Sequence, residues 1–91
     1  MVSEDVRKLV GRKRTLEILE LLSEQGTLNY SEIEDTINSS SETISTALKL
    51  LVSHGLVQRI EQSSRNVQYE STESGKRFLD TLEEIERILS D

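Results

Sequence analysis

The chain has no cysteine, no proline and a single histidine, His54. Without thiols there is no disulfide staple, no thiolate metal site and no thiol nucleophile. One imidazole cannot supply a His-pair metal centre, so no metal and no cofactor are expected. Only Tyr30, Tyr69 and Phe78 are aromatic, too few for a sheet that stacks single-stranded bases. No apolar run approaches membrane length and the N-terminus lacks an apolar signal core. These absences lead to the expectation of a cytoplasmic protein with no membrane partner. At 91 residues one domain is expected, and a fold of that size buries only about two thirds of the surface its unfolded chain exposes. A walled active site has little room. No nucleophile–base array, paired acid or glycine-rich phosphate loop is visible, so an enzyme is not expected.

What the chain does have is Leu and Ile set among charged residues, the composition of helices on a small aliphatic core. From Arg14 to Gln25 a helical stripe of Leu16, Ile18, Leu19, Leu21 and Leu22 ends at Gly26. Thr27-Leu28-Asn29 is a bridge strand. Ser31 and Glu34 have capping-box spacing and open a short helix burying Ile33 and Ile37. Asn38-Ser39-Ser40 follows as a turn, where Asn38 suits a left-handed residue. A third helix begins at Ser39 or Ser40, buries Ile44, Ala47, Leu48 and Leu51, and stops at Gly55, with His54 in its last turn. Leu56–Glu61 and Val67–Ser71 are β-compatible, joined by a polar loop over 62–66. Thr72 caps a long helix to about Leu89.

The expected fold class is therefore mostly α with a small β-hairpin (α+β), a winged helix-turn-helix. Its parts are an N-terminal basic arm or helix over 1–11, a winged-helix core over 12–71 and a C-terminal dimerisation helix over 72–91.

The net charge of −6 opposes a generally basic nucleic-acid coat, but the charge is uneven. Residues 1–20 carry five basic and four acidic side chains, residues 21–38 only four acidic ones, and residues 71–91 three basic and six acidic. Arg7, Lys8, Arg12, Lys13 and Arg14 form the one basic cluster. It reads either as a phosphate-contacting arm or as a solvated helix start. On the third helix, Glu42, Thr46, Lys49 and Ser53 lie opposite the buried face, with Ser40, Thr43 and Ser45 near the start. A merely solvated face would carry more Glu, Lys and Gln. Small hydroxyls permit close approach to DNA, and Lys49 suits phosphate or guanine. Glu42 can accept from a cytosine, cap the helix, or repel the backbone. In the hairpin, Arg65 between Ser64 and Asn66 can enter a narrow minor groove or serve as a solubilising loop residue; Arg59 is a weaker candidate of the same kind. Phe78, Leu82, Ile85 and Leu89, widened by Ile88, form an apolar seam that predicts pairing with a second copy of the chain.

The run Ser40-x-x-Thr43-Ile44-Ser45-x-Ala47-Leu48-x-x-Leu51-x-x-x-Gly55-Leu56-Val57 resembles the recognition-helix-to-wing segment of winged-helix repressors of the MarR, ArsR and HxlR kinds. Tyr69-x-x-Thr72-x-x-Gly75 and Arg14-Thr15-Leu16-x-Ile18-Leu19 extend the likeness over roughly residues 12–90. It implies a homodimeric, double-stranded-DNA-binding transcriptional regulator, in most cases a repressor. The chain departs from these relatives in lacking the Cys or several His of metal sensors and the N-terminal cysteine of redox sensors, and it is too short for the extra helices of a MarR drug pocket. It carries no pointer to a small-molecule effector. The alternative is an acidic winged-helix module that binds a protein partner within the transcription machinery.

Overall fold

The structure, a computed structural model, describes residues 3–90. The elements run α1 (Glu4–Val10), α2 (Lys13–Gln25), β1 (Leu28–Asn29), α3 (Tyr30–Thr36), α4 (Ser41–Ser53), β2 (Val57–Ser63), β3 (Asn66–Ser71) and α5 (Glu73–Ser90). The α+β winged-helix architecture expected from the sequence is present. The ends of the expected 1–11 and 72–91 segments, Met1, Val2 and Asp91, lie outside the described residues.

The N-terminal segment is a helix. The Ser3 hydroxyl accepts from the Val6 amide and Leu9 is buried. The amphipathic stripe of α2 buries Ile18, Leu19 and Leu22 against Ile44, Ala47, Leu48 and Leu51 of α4, and Ile33 and Ile37 belong to the same buried cluster. Gly26, at φ 86°, ends α2 in a conformation that a side chain disfavours. α2 starts one residue earlier than its apolar stripe indicates.

Three local expectations need correction. The capping box belongs to Asn29 and Glu32, not to Ser31 and Glu34: Asn29 Oδ1 accepts from the Glu32 amide at 2.9 Å, and Glu32 Oε1 accepts from the Asn29 amide at 3.0 Å. Asn29 is already extended as the last residue of β1, so the chain enters the helix two residues sooner than the Ser-x-x-Glu pattern suggests. Asn38 is not left-handed, because no non-glycine residue among those described has positive φ. The hairpin strands also run further than read, leaving Ser64 and Arg65 as the turn. A bulge at Gln62 makes this possible, since Glu61 pairs with Val67 and Ser63 with Asn66. The Gln62 side chain accepts from Asn66 and donates to Gln68, both at 3.1 Å, so polar residues that read as loop extend the ladder.

The sheet order is β1-β3-β2, with Leu28 opposite Tyr69 and Asn29 opposite Gln68. β1 thereby ties the start of α3 to the wing.

Polar contacts from two residues of α3, Tyr30 and Glu34, fix α4 on it. The Tyr30 hydroxyl donates to the Ser41 carbonyl at 2.9 Å and lies 3.3 Å from Ser45 Oγ. The Ser41 hydroxyl donates to the Glu34 carboxylate. Ser40, rather than Ser39, caps α4, accepting from the Thr43 amide at 3.2 Å. His54 is the C-cap residue and lies just past the last turn.

Two turns interlock where the wing meets α5. The Thr72 amide donates to the Leu56 carbonyl at 3.0 Å, and its hydroxyl donates to the Gly55 carbonyl at 2.6 Å. The same hydroxyl accepts from the Gly75 amide at 3.1 Å and so caps α5. Gly75 is buried so closely that a Cβ would collide with the Leu56 carbonyl oxygen and come within 3.2 Å of Leu19 Cδ1.

Gly75→Ala is therefore expected to destabilise the fold by about 1–3 kcal/mol through overpacking against backbone, read as a fall of several degrees in thermal unfolding. Tyr30→Phe, which keeps the ring and deletes its hydrogen bonds to α4, should cost about 1 kcal/mol in denaturant unfolding. An unchanged midpoint would show that the Tyr30 hydroxyl contributes nothing to holding α4.

Candidate nucleic-acid interface

Because α4 spends Ile44, Ala47, Leu48 and Leu51 on the core, its other face is presented outward. Glu42, Thr43, Thr46 and Lys49 are exposed there. Ser40 is exposed too, but its hydroxyl is engaged with the Thr43 amide and, at 2.9 Å, with Thr43 Oγ1. Ser45 differs from the rest, being half-buried beside the Tyr30 hydroxyl. Tyr30 was not singled out from the sequence as a site residue. Tyr30 is the first residue of α3, and its place there is what brings its hydroxyl to α4.

The structure divides the basic cluster. Arg12, Lys13 and Arg14, around the start of α2, line one groove of about 570 Å³ with Ser40, Glu42, Thr43 and Thr46. Arg7 and Lys8 are exposed on α1 and do not line it. Arg14 is tied to Glu17 by bonds of 2.9 and 3.1 Å. Arg12 and Lys13 have no ion-pair partner among the described residues. The groove thus brings two uncommitted cations beside the first two turns of α4.

On the other flank of α4, Lys49, Ser45 and Ser53 share a groove of about 410 Å³ with Arg59, Tyr30, Tyr69, Leu48 and Val52. Arg59 stands opposite Tyr69 across the β2–β3 ladder. The Tyr69 hydroxyl first, and the Glu61 carboxylate 3.4 Å away next, raise its pKa above the ordinary guanidinium value. Arg59 is charged throughout the physiological range. Beyond it, Ser64 and Arg65 form the exposed tip of the wing, while Asn66 is held in the ladder by Gln62.

A separate apolar face lies between α1 and α5. Val6, Val10, Phe78, Leu82 and Ile85 line a groove of about 380 Å³. Ile85, Ile88 and Leu89 are 47%, 65% and 80% exposed. Phe78 and Leu82 are half-buried, so the rest of the domain covers only the first part of the α5 seam. Val6 and Val10 were not read as part of this face. Their i, i+4 spacing was visible within a segment read chiefly for its charge.

The HxlR-like helix-turn-helix family matches residues 9–91. An uncharacterized HTH-type transcriptional regulator of Methanocaldococcus jannaschii is 31% identical over 85 residues, covering 89% of this chain and 78% of the relative. An uncharacterized protein of the same organism is 32% identical over 85 residues, covering 89% and 70%. Among solved structures, the reduced form of the transcriptional regulator YodB from B. subtilis superposes with a TM-score of 0.78 at 25% identity, over 96% of this chain and 90% of that one. Helix order, wing and family match agree, and the chain belongs to the HxlR-like helix-turn-helix family of DNA-binding winged-helix transcriptional regulators, which are not enzymes.

Proposed function

We propose that the protein acts as a homodimeric, sequence-specific repressor that binds double-stranded DNA. In this reading α4 enters the major groove with Ser40, Glu42, Thr43, Ser45, Thr46 and Lys49 on or near the contact face. The wing, through Arg59, Ser64, Arg65 and Asn66, follows the adjacent backbone and minor groove. Arg7, Lys8, Arg12, Lys13 and Arg14 supply phosphate contacts. The observation that carries this reading is the groove in which Arg12 and Lys13 flank the exposed start of α4. An acidic protein can approach DNA when the contact face itself is locally positive.

Dimerisation is supported by the strip formed by Ile85, Ile88 and Leu89 with the α1–α5 groove. A contiguous apolar strip on a small protein marks a contact surface. Two-fold pairing through Phe78, Leu82, Ile85, Ile88 and Leu89 would set two α4 helices roughly 34 Å apart and favour a pseudo-palindromic site.

One observation favours the protein-partner alternative. Glu20, Glu24, Asp80, Glu83 and Glu86, with Lys76 as the one cation, line a groove of about 480 Å³ between α2 and α5. That surface suits a basic partner. DNA remains the better reading because the family match covers α4 and the wing.

Filter binding to genomic DNA fragments at two salt concentrations tests the DNA contact. Affinity should fall steeply with salt, and an Arg12→Ala, Lys13→Ala variant should lower the log–log slope by about two, one per lost phosphate contact. An Arg7→Ala, Lys8→Ala variant measured alongside shows whether α1 contributes equally. A slope unchanged in both variants removes Arg7, Lys8, Arg12 and Lys13 from the interface.

Sedimentation tests the dimer. The wild type should sediment as a dimer at tens of micromolar and an Ile85→Glu, Leu89→Glu variant as a monomer. A wild-type monomer, or a variant that stays dimeric, places the interface elsewhere or nowhere.

A further inference from the structure

We infer that Glu42 determines specificity by selecting a cytosine in each half-site, an assignment that rests on the DNA-binding reading above. Glu42 is the second residue of α4, on the first turn, and the only acidic residue in that helix. Its side chain is exposed and has no ion-pair partner among the described residues, although it shares a groove with Arg12 and Lys13. A carboxylate carried into a DNA groove meets phosphate and deoxyribose oxygens, none of which donates a hydrogen bond. The donors that the major groove offers are base amino groups, N4 of cytosine and N6 of adenine. Adenine presents its N7 acceptor beside N6, where it opposes the second carboxylate oxygen; cytosine presents N4 with no acceptor of its own in that groove. The N-terminal turn of the recognition helix is the part that reaches base edges. Arg12 and Lys13 alongside can take the flanking phosphates, which lowers the repulsion that Glu42 would otherwise meet.

The rival role for Glu42 is structural, an acidic residue favoured at a helix N-terminus by the dipole. The two roles separate in what they change. Selection of bound sequences from a random duplex library is carried out with the wild type, Glu42→Gln and Glu42→Ala, with thermal unfolding of each protein alongside. The wild type should enrich cytosine at one fixed position per half-site, with about a tenfold or greater loss of affinity on replacing that base pair. Glu42→Gln should move the preference at that position to adenine, which a carboxamide can engage through N6 and N7. Glu42→Ala should flatten that position and leave the others unchanged. Identical preferences in all three proteins, with only the melting temperature or overall affinity altered, overturn the assignment. A wild type that enriches no sequence removes the sequence-specific reading and this one together, an outcome distinct from identical preferences in proteins that do select a sequence.

Discussion

Burial of one face of α4 is the constraint on which the rest of the structure depends. Ile44, Ala47, Leu48 and Leu51 occupy a single stripe and meet Ile18, Leu19 and Leu22 of α2. A helix of 13 residues whose four buried side chains share one stripe has one preferred rotation against that core. The rotation puts Glu42, Thr46 and Lys49 outward together. The outward face is thus a consequence of core packing and needs no polar interaction to select it. The side chains it presents are then free to answer to a ligand.

Rotation alone does not fix where the helix points, and polar contacts supply that. Tyr30 and Glu34 of α3 hold the first turn of α4 through the Ser41 carbonyl and hydroxyl. α3 is itself anchored to the wing, because Asn29 both caps it and pairs with Gln68. The wing returns to the end of α4 through the Thr72 bonds to Gly55 and Leu56. Wing, α3 and α4 therefore form a closed loop of contacts. The first turn of α4 and the hairpin thus belong to one connected set of hydrogen bonds.

The parts of this arrangement legible in the sequence are those governed by apolar periodicity. The stripes of α2, α4 and α5 place their helices to within a residue or two, and Gly26 and Gly55 mark two helix ends through backbone conformations of φ 86° and 72°. Polar detail was less legible because one spacing serves several geometries. Ser31–Glu34 and Asn29–Glu32 are both plausible capping pairs, and only the strand pairing of Asn29 decides between them. Gln62 and Asn66 read as loop because their cross-strand amide bonds exist only after a bulge has set the register. Long-range neighbours were invisible altogether: nothing local in Arg12 or Lys13 tells that they lie beside Thr43 and Thr46.

The N-terminal segment shows how a short chain places two chemistries on different faces. Within α1, Val6 and Val10 turn toward Phe78 and Ile85, while Leu9 enters the core. Directly after it, Arg12 and Lys13 flank the start of α4. One continuous stretch of chain thus carries side chains of the proposed dimer seam and of the proposed phosphate contacts, separated only by Gly11. Because Leu9 is 4% exposed, α1 is held by apolar burial and not by its charges. Arg7 and Lys8 can therefore be neutralised without unseating it. Removing Leu9 would act differently, loosening the α1–α5 seam and the segment that positions Arg12 together. The segment first visible as a run of cations is, physically, an apolar anchor whose position decides where those cations stand.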